Sequence, residues 1–228
     1  MDLTNASEIL SYLRRFSSPE NVAGMARFGI SKTNTLGVSI PVIRDVARKI
    51  GTNHSLALEL WETGIHEARL LAGFVDDPER VTNAQMEKWV KSFDSWDVCD
   101  QVCSSLFDET RLATKKVIEW SKKDAEFVKR AGFVLMAALA VHNKEADDKL
   151  FLSFLPIIKR GSSDDRNFVR KAVNWALRQI GKRNLKLNRA AVKTAKEIQR
   201  LDSKSAKWIA SDALRELTGE AVLTRLKK

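Results

Sequence analysis

Cysteine is nearly missing from this chain of 228 residues: Cys99 and Cys103 are the two present, and they stand one helical turn apart. That spacing is poorly suited to a disulfide. It fits a reducing compartment, with the cytoplasm as the expected location. Four prolines and ten glycines are too few for a low-complexity or collagen-like chain, and 44% apolar with 30% charged residues is a globular composition. No apolar run reaches the ~18 residues a membrane span requires. The opening MDLTNASEILSYL is acidic, polar and amphipathic, unlike a signal or transit peptide. His54, His66 and His142 are too scattered to form a metal site with the two cysteines, and HEARL at 66 lacks the second histidine of a zinc protease. A phosphate-cradling glycine loop and a nucleophile elbow are also missing. No metal or cofactor is implied. The length suits one sizeable core, and a single domain over 1–228 is expected.

Positive charge is abundant and uneven. Residues 1–114 hold 12 Lys+Arg against 16 Asp+Glu, whereas 115–228 hold 27 against 13. A swing of that size points to a positive surface facing a polyanion, with nucleic acid first and a solvated basic face as the alternative.

Apolar residues recur at three and four along almost every segment, which predicts an all-α protein. In TNAQMEKWVKSF, Thr82 and Gln85 have capping-box spacing, and Met86, Trp89, Val90 and Phe93 follow down one face. Ser39 and Pro41 open the helix that stops at Gly51. The same reading gives helices near 4–16, 19–28, 41–50, 54–63, 65–75, 83–93, 95–107, 110–122, 124–141, 145–159, 165–180, 188–200 and 205–217. Three of them are variants of one unit: EFVKRAGFVLMAAL (126–139), NFVRKAVNWALRQI (167–180) and SAKWIASDALREL (205–217). Their starts lie 41 and 38 residues apart, and HEARLLAGFV (66–75) echoes the first. A two-helix period near 40 predicts a HEAT-like helical-repeat solenoid, whose concave face is lined by one helix of each pair.

Three helices carry unusual polar groups. On a wheel of the helix beginning at Trp96, Val98, Cys99, Val102, Cys103 and Leu106 form the buried stripe, and Asp97 and Gln101 turn toward solvent. Trp96, Asp100 and Phe107 fall within about 40° on one edge of the stripe. Asp94 suits an N-cap and Asp97 the first turn, but Asp100 fits neither role. A salt bridge to a neighbouring helix is the structural alternative. On the helix at 167–180, Trp175 borders a core of Val169, Ala172, Val173, Ala176, Leu177 and Ile180, with Lys171 and Arg178 beside it. An indole flanked by cations suits a sugar and its phosphates, or a core tryptophan with snorkelling neighbours. From Arg130 onward, the helix at 124–141 is apolar or small all round. Arg130 therefore needs a carboxylate or a bound phosphate.

These residues carry a resemblance. MARFGI…GVSIP, SWDVCD, FVKRAGFV and RNFVRKAVNWALRQIGKRN, in this order and all-helical context, resemble the AlkD-type DNA alkylation repair enzymes, the HEAT-like-repeat DNA glycosylases. The resemblance covers most of the chain. It implies Trp96, Asp100 and Trp175 as catalytic residues, and Arg130, Lys171, Arg178, Lys182 and Arg183 as DNA-binding residues. Phe28, with Met25 as the other candidate, would be the N-terminal aromatic near the lesion. It implies double-stranded DNA containing alkylated bases as the partner, a monomer, and action without flipping the base. The implied reaction is excision of cationic purines alkylated at N3 or N7, such as 3-methyladenine and 7-methylguanine. The leaving group is already activated, so one carboxylate suffices to stabilise the oxocarbenium-like sugar and position water. The alternative is a non-catalytic repeat protein that binds branched or damaged DNA, or a protein partner.

Overall fold

Side-chain caps set where the helices begin. In the computed structural model, which describes residues 4–227, Asn5, Ser18, Asn53, Thr82, Asn184 and Ser203 each accept a hydrogen bond from a backbone N–H of the first turn that follows. Each satisfies one of the donors a helix start leaves open. Thr82 caps as the capping-box spacing predicts, but Gln85 turns away and donates its amide to Asp76 Oδ2 instead of reaching back.

The chain divides into two compact units, the first ending at Arg111 and the second beginning at Leu112. The first contains α1 (Ala6–Arg14), α2 (Pro19–Ala26), α3 (Ile40–Ile50), α4 (His54–Glu62), α5 (His66–Val75), α6 (Asn83–Lys91) and α7 (Trp96–Ser105). The second contains α8 (Ala113–Trp120), α9 (Glu126–His142), α10 (Asp148–Gly161), α11 (Asn167–Gly181), α12 (Leu185–Gln199), α13 (Lys204–Leu217) and α14 (Glu220–Leu226). Leu112, Ala113 and Thr114 carry no charge, so the acidic–basic contrast of the sequence divides at the same place as the units.

Among the described residues the ordered elements are helices, and none is long and apolar enough to cross a membrane. The fold is of the HEAT-like kind, as the period near 40 predicts. In the second unit α9, α11 and α13 pack side by side, and α10 and α12 pack on each other and against them; α8 lies on α9. The repeat is visible in the bonds between successive units. Arg166 donates to the Asp124 carbonyl and Ser205 to the Asp164 carbonyl, 42 and 41 residues apart. Asn174 meets Asp212 and Arg178 meets Glu216, 38 residues apart in each case. In the first unit α5 packs on α3, α4 and α7.

Packing explains the small residues of the repeated AGFV. A Cβ on Gly132 would lie 2.5 Å from the backbone nitrogen of Ser121, so glycine lets the end of α8 close on α9. The predicted buried stripes of α7 and α11 are fully buried. The 95–107 segment differs from expectation at its end. Leu106 leaves helical geometry at φ −143°, so α7 stops at Ser105, and Phe107 enters a short 3-10 turn. Phe107 is thereby buried beside Trp89 and Phe93, not on the edge with Trp96. The terminal helix α14 follows Gly219 and was not foreseen in the periodicity.

Candidate active site and nucleic-acid interface

The first unit brings Trp96, Asp100 and Phe28 together. Ser95 is extended and is the N-cap residue of α7, so Trp96 is its first residue and Asp100 follows one turn on. Asp94, expected as the cap, instead pairs with Arg69 at 3.3 Å. The Trp96 indole Nε1–H donates to the backbone carbonyl of Phe28 at 3.0 Å. Phe28 lies in the turn after α2 with 70% of its surface exposed. Asp100 is half-buried, and its backbone carbonyl accepts from the Ser104 hydroxyl at 2.6 Å.

The position of α2 depends on the loop that follows it. The carboxylate of Glu67, wholly buried, accepts from the backbone N–H groups of Leu36, Gly37 and Val38 at 2.9, 2.7 and 3.2 Å. Three charge-assisted bonds offset the cost of burying that charge. Ser18 N–H then donates to the Leu36 carbonyl and Asn21 to that of Gly37. Gly37 has φ +78°, and a Cβ there would lie 2.3 Å from the Ser18 carbonyl oxygen. No other residue type allows this approach.

Beside Glu67, His66 Nε2 meets Asp97 Oδ2 at 2.9 Å. Burial alone would lower the His66 pKa, but the hydrogen bond and charge of Asp97, with Glu67 and Asp94, raise it above the ordinary value. Burial pushes Asp97 up, and the bond and charge of His66 outweigh it, so Asp97 lies below the usual carboxylate range. Both shifts favour the ion pair. Asp97 and Gln101, expected to face open solvent, instead line a cavity of about 710 Å³ between α2, the loop 37–40, α5 and α7. Met25, Phe28, His66 and Trp96 also line it.

The second unit holds the other expected site residues. Arg130 is 5% exposed and donates from Nη1 to the Phe168 carbonyl at the start of α11. Trp175 is half-buried on α11, and Lys171 is exposed and makes no ion pair among the described residues. The remaining cations are engaged within the fold. Arg178 contacts Glu216 and Asp212 at 2.5 and 3.6 Å, and Lys182 contacts Glu216 at 2.7 Å. Arg183 donates to the carbonyls of Ala140 and Lys144 and lies 4.0 Å from the Phe151 ring centroid.

Two features escaped the sequence reading. His66 and Glu67 open a helix that apart from Arg69 is apolar or small and largely buried, and a polar pair in that setting is itself a signal of buried partners. Arg189, Lys193, Lys196 and Arg200 recur along one face of α12, all exposed, with no side-chain hydrogen bond or ion pair among the described residues. The acid among them, Glu197, is held by Lys159 at 2.7 Å. Among the described residues no cluster of His, Cys, Asp and Glu has the arrangement of a metal site, and Cys99 and Cys103 are buried free thiols.

A helical-repeat protein with an aromatic–carboxylate pair in one unit and a cation-rich aromatic helix in the other is the class these elements define. Residues 9–217 match the DNA alkylation repair enzyme family, and the chain belongs to that family. No curated protein sequence matches it. A solved structure, from a new family of proteins related to the HEAT-like repeat DNA glycosylases with affinity for branched DNA structures, has the same fold. It aligns with TM-score 0.78 and 19% sequence identity over 94% of this chain and 96% of that one.

Proposed function

We propose that the protein is a DNA glycosylase that excises cationic N3- or N7-alkylated purines, 3-methyladenine and 7-methylguanine among them, from duplex DNA. The observation that carries this reading is the Trp96–Asp100 pair on α7, with Trp96 fixed by the Phe28 carbonyl. Asp100 neither caps a helix nor lies in its first turn, yet it is half-buried beside an indole.

The C1′–N bond breaks heterolytically, and its electron pair neutralises the departing purine. Asp100 stabilises the positive charge left on the sugar and orients a water. The water oxygen adds to C1′, and Asp100 accepts its proton. Trp96 packs on the deoxyribose, where an indole face favours developing positive charge, and Trp175 on the second unit offers another such face to the DNA. Lys171 is the phosphate contact whose charge is available. Arg178 and Lys182 reach phosphate by exchanging Glu216. Arg130, buried and bonded to the Phe168 carbonyl, acts on the DNA backbone by fixing the start of α11.

A second reading, a protein that binds branched or damaged DNA without excision, is favoured by the likeness to the family with affinity for branched DNA. Incubation with methylated duplex DNA separates the two. Release of free 3-methyladenine or 7-methylguanine above spontaneous depurination supports the glycosylase. Binding without release supports the second reading.

A further inference from the structure

Three contacts join α11 to α13 at one sequence offset. The Arg170 guanidinium lies 5.1 Å from the Trp208 ring centroid, Asn174 donates to Asp212 at 2.7 Å, and Arg178 donates to Glu216 at 2.5 Å. A constant offset in rising order means that the two helices run parallel. Lys171 and Trp175 each follow a member of this ladder by one residue on α11, a rotation of about 100° away from the contact. Lys207, Ser211 and Arg215 each precede a member by one residue on α13, the same rotation in the opposite sense. For parallel neighbours these opposite rotations lead to the same side of the layer. The five residues therefore share one surface, and Trp208 stands at its middle, between the ladder and the open face.

Trp208 is the unusual member. It is 40% exposed, and on these two helices it is the one large apolar side chain open to solvent. Arg170 covers one face of the ring. Its Nη2 donates to Asn167 at 3.3 Å, and its Nε and Nη1 make no hydrogen bond among the described residues. Lys171 and Lys204, both exposed, make no ion pair among the described residues. Lys207 meets only the fully exposed Asp202, at 3.4 Å, a pair that contributes little.

The chemistry of this surface limits its partner. A protein interface is built around an apolar core from which charge is depleted, whereas here a single indole is ringed by cations. An isolated anion has no use for the ring. The backbone of a continuous duplex would take the cations, but its bases are stacked on one another and offer the indole no open face. An unpaired nucleotide offers both a phosphate and a flat base, the combination that aromatic platforms among cations bind in single strands. We propose that the α11–α13 surface binds a single-stranded stretch adjoining a duplex, with an unpaired base stacked on Trp208 and phosphates held by Arg170, Lys204 and Lys207. The inference rests on the reading that this layer faces DNA, and it is independent of excision. The stacked base is an undamaged neighbour, and Trp208 takes no part in the chemistry at Asp100.

Fluorescence anisotropy on three unmodified DNAs tests it: a blunt duplex, the same duplex with a short single-stranded overhang, and one whose overhang is abasic and so keeps the phosphates without the bases. The wild type should bind the base-bearing overhang about tenfold more tightly than the abasic one, within what stacking of one base on an aromatic contributes. Trp208→Ala should abolish that preference, and Trp208→Phe, which keeps a ring, should retain part of it. Lys204→Ala should weaken binding of both overhangs alike, as loss of a phosphate contact does. Circular dichroism checks that each variant keeps its helical fold. Equal binding of the two overhangs by the wild type overturns the inference, as does a preference that survives in Trp208→Ala. Failure of the wild type to bind even the blunt duplex overturns the reading that this layer faces DNA.

Discussion

Trp96 and Phe28 are joined by a hydrogen bond that spans 68 residues of sequence, from the indole Nε1–H to a backbone carbonyl at 3.0 Å. It ties the first residue of α7 to the turn after α2, and so fixes the indole beside Asp100. Trp96→Phe keeps an aromatic ring and removes this bond. The variant should lose about 1 kcal/mol of stability, measured by urea unfolding. Single-turnover excision should fall about tenfold through misplacement of the ring.

The His66–Asp97 pair makes stability depend on pH in a defined direction. His66 is raised above 6.5, so its contribution is complete below that value and is lost as pH climbs through the folded value. Asp97 is lowered below 3.8, so its contribution is present above that value and is lost as pH falls through the folded one. The stability difference between wild type and His66→Gln should therefore be largest between about pH 4 and 6.5 and shrink on the alkaline side. Urea unfolding across pH 4–9 measures it.

Asp164 anchors the start of α11. It accepts from Arg166 Nε at 2.9 Å and from Lys129 Nζ at 3.2 Å, and its backbone carbonyl accepts from Ser205. The Arg166 hydrogen bond, stronger than the opposing effect of burial, brings its pKa from 3.8 down to about 2. The stabilisation is present above 3.8 and lost as pH falls toward 2. Asp164→Asn should cost about 2 kcal/mol at neutral pH, and the two proteins should converge in acid.

Cations on the two layers of the second unit should respond differently to salt. Lys171 stands on α11 beside Trp175, whereas Arg189 and Lys193 stand on α12. If the layer of α9, α11 and α13 faces DNA, Lys171→Ala should lower the slope of log K against log salt by about 0.9. Exchange of Arg189 and Lys193 for Gln should leave the slope unchanged. Fluorescence anisotropy on a duplex from 50 to 200 mM salt measures both.

The repeat architecture was legible because its signal is apolar periodicity, which fixes both the helix type and the recurrence near 40. The buried stripes of α7 and α11 followed from helical wheels, and the burial of α9 from its being apolar or small all round. What the wheels could not show was the second helix each edge meets. Asp97 reads as solvent-facing on α7 alone, and only the packing of α2 turns that face into a cavity wall. Likewise Arg178 and Lys182 read as free cations until α13 brings Glu216 between them. Phe107 left its expected edge because one residue, Leu106, broke the helix. Charges paired across helices far apart in sequence leave no mark on either helix by itself.

The most direct measurement compares wild type with Asp100→Asn on one methylated duplex, with base release and DNA affinity recorded in parallel. The substitution keeps the size of the side chain and removes the charge and the proton acceptor. The account predicts that DNA affinity is retained and that release falls about 10²–10³-fold or more. Release by the variant at the wild-type rate would contradict it.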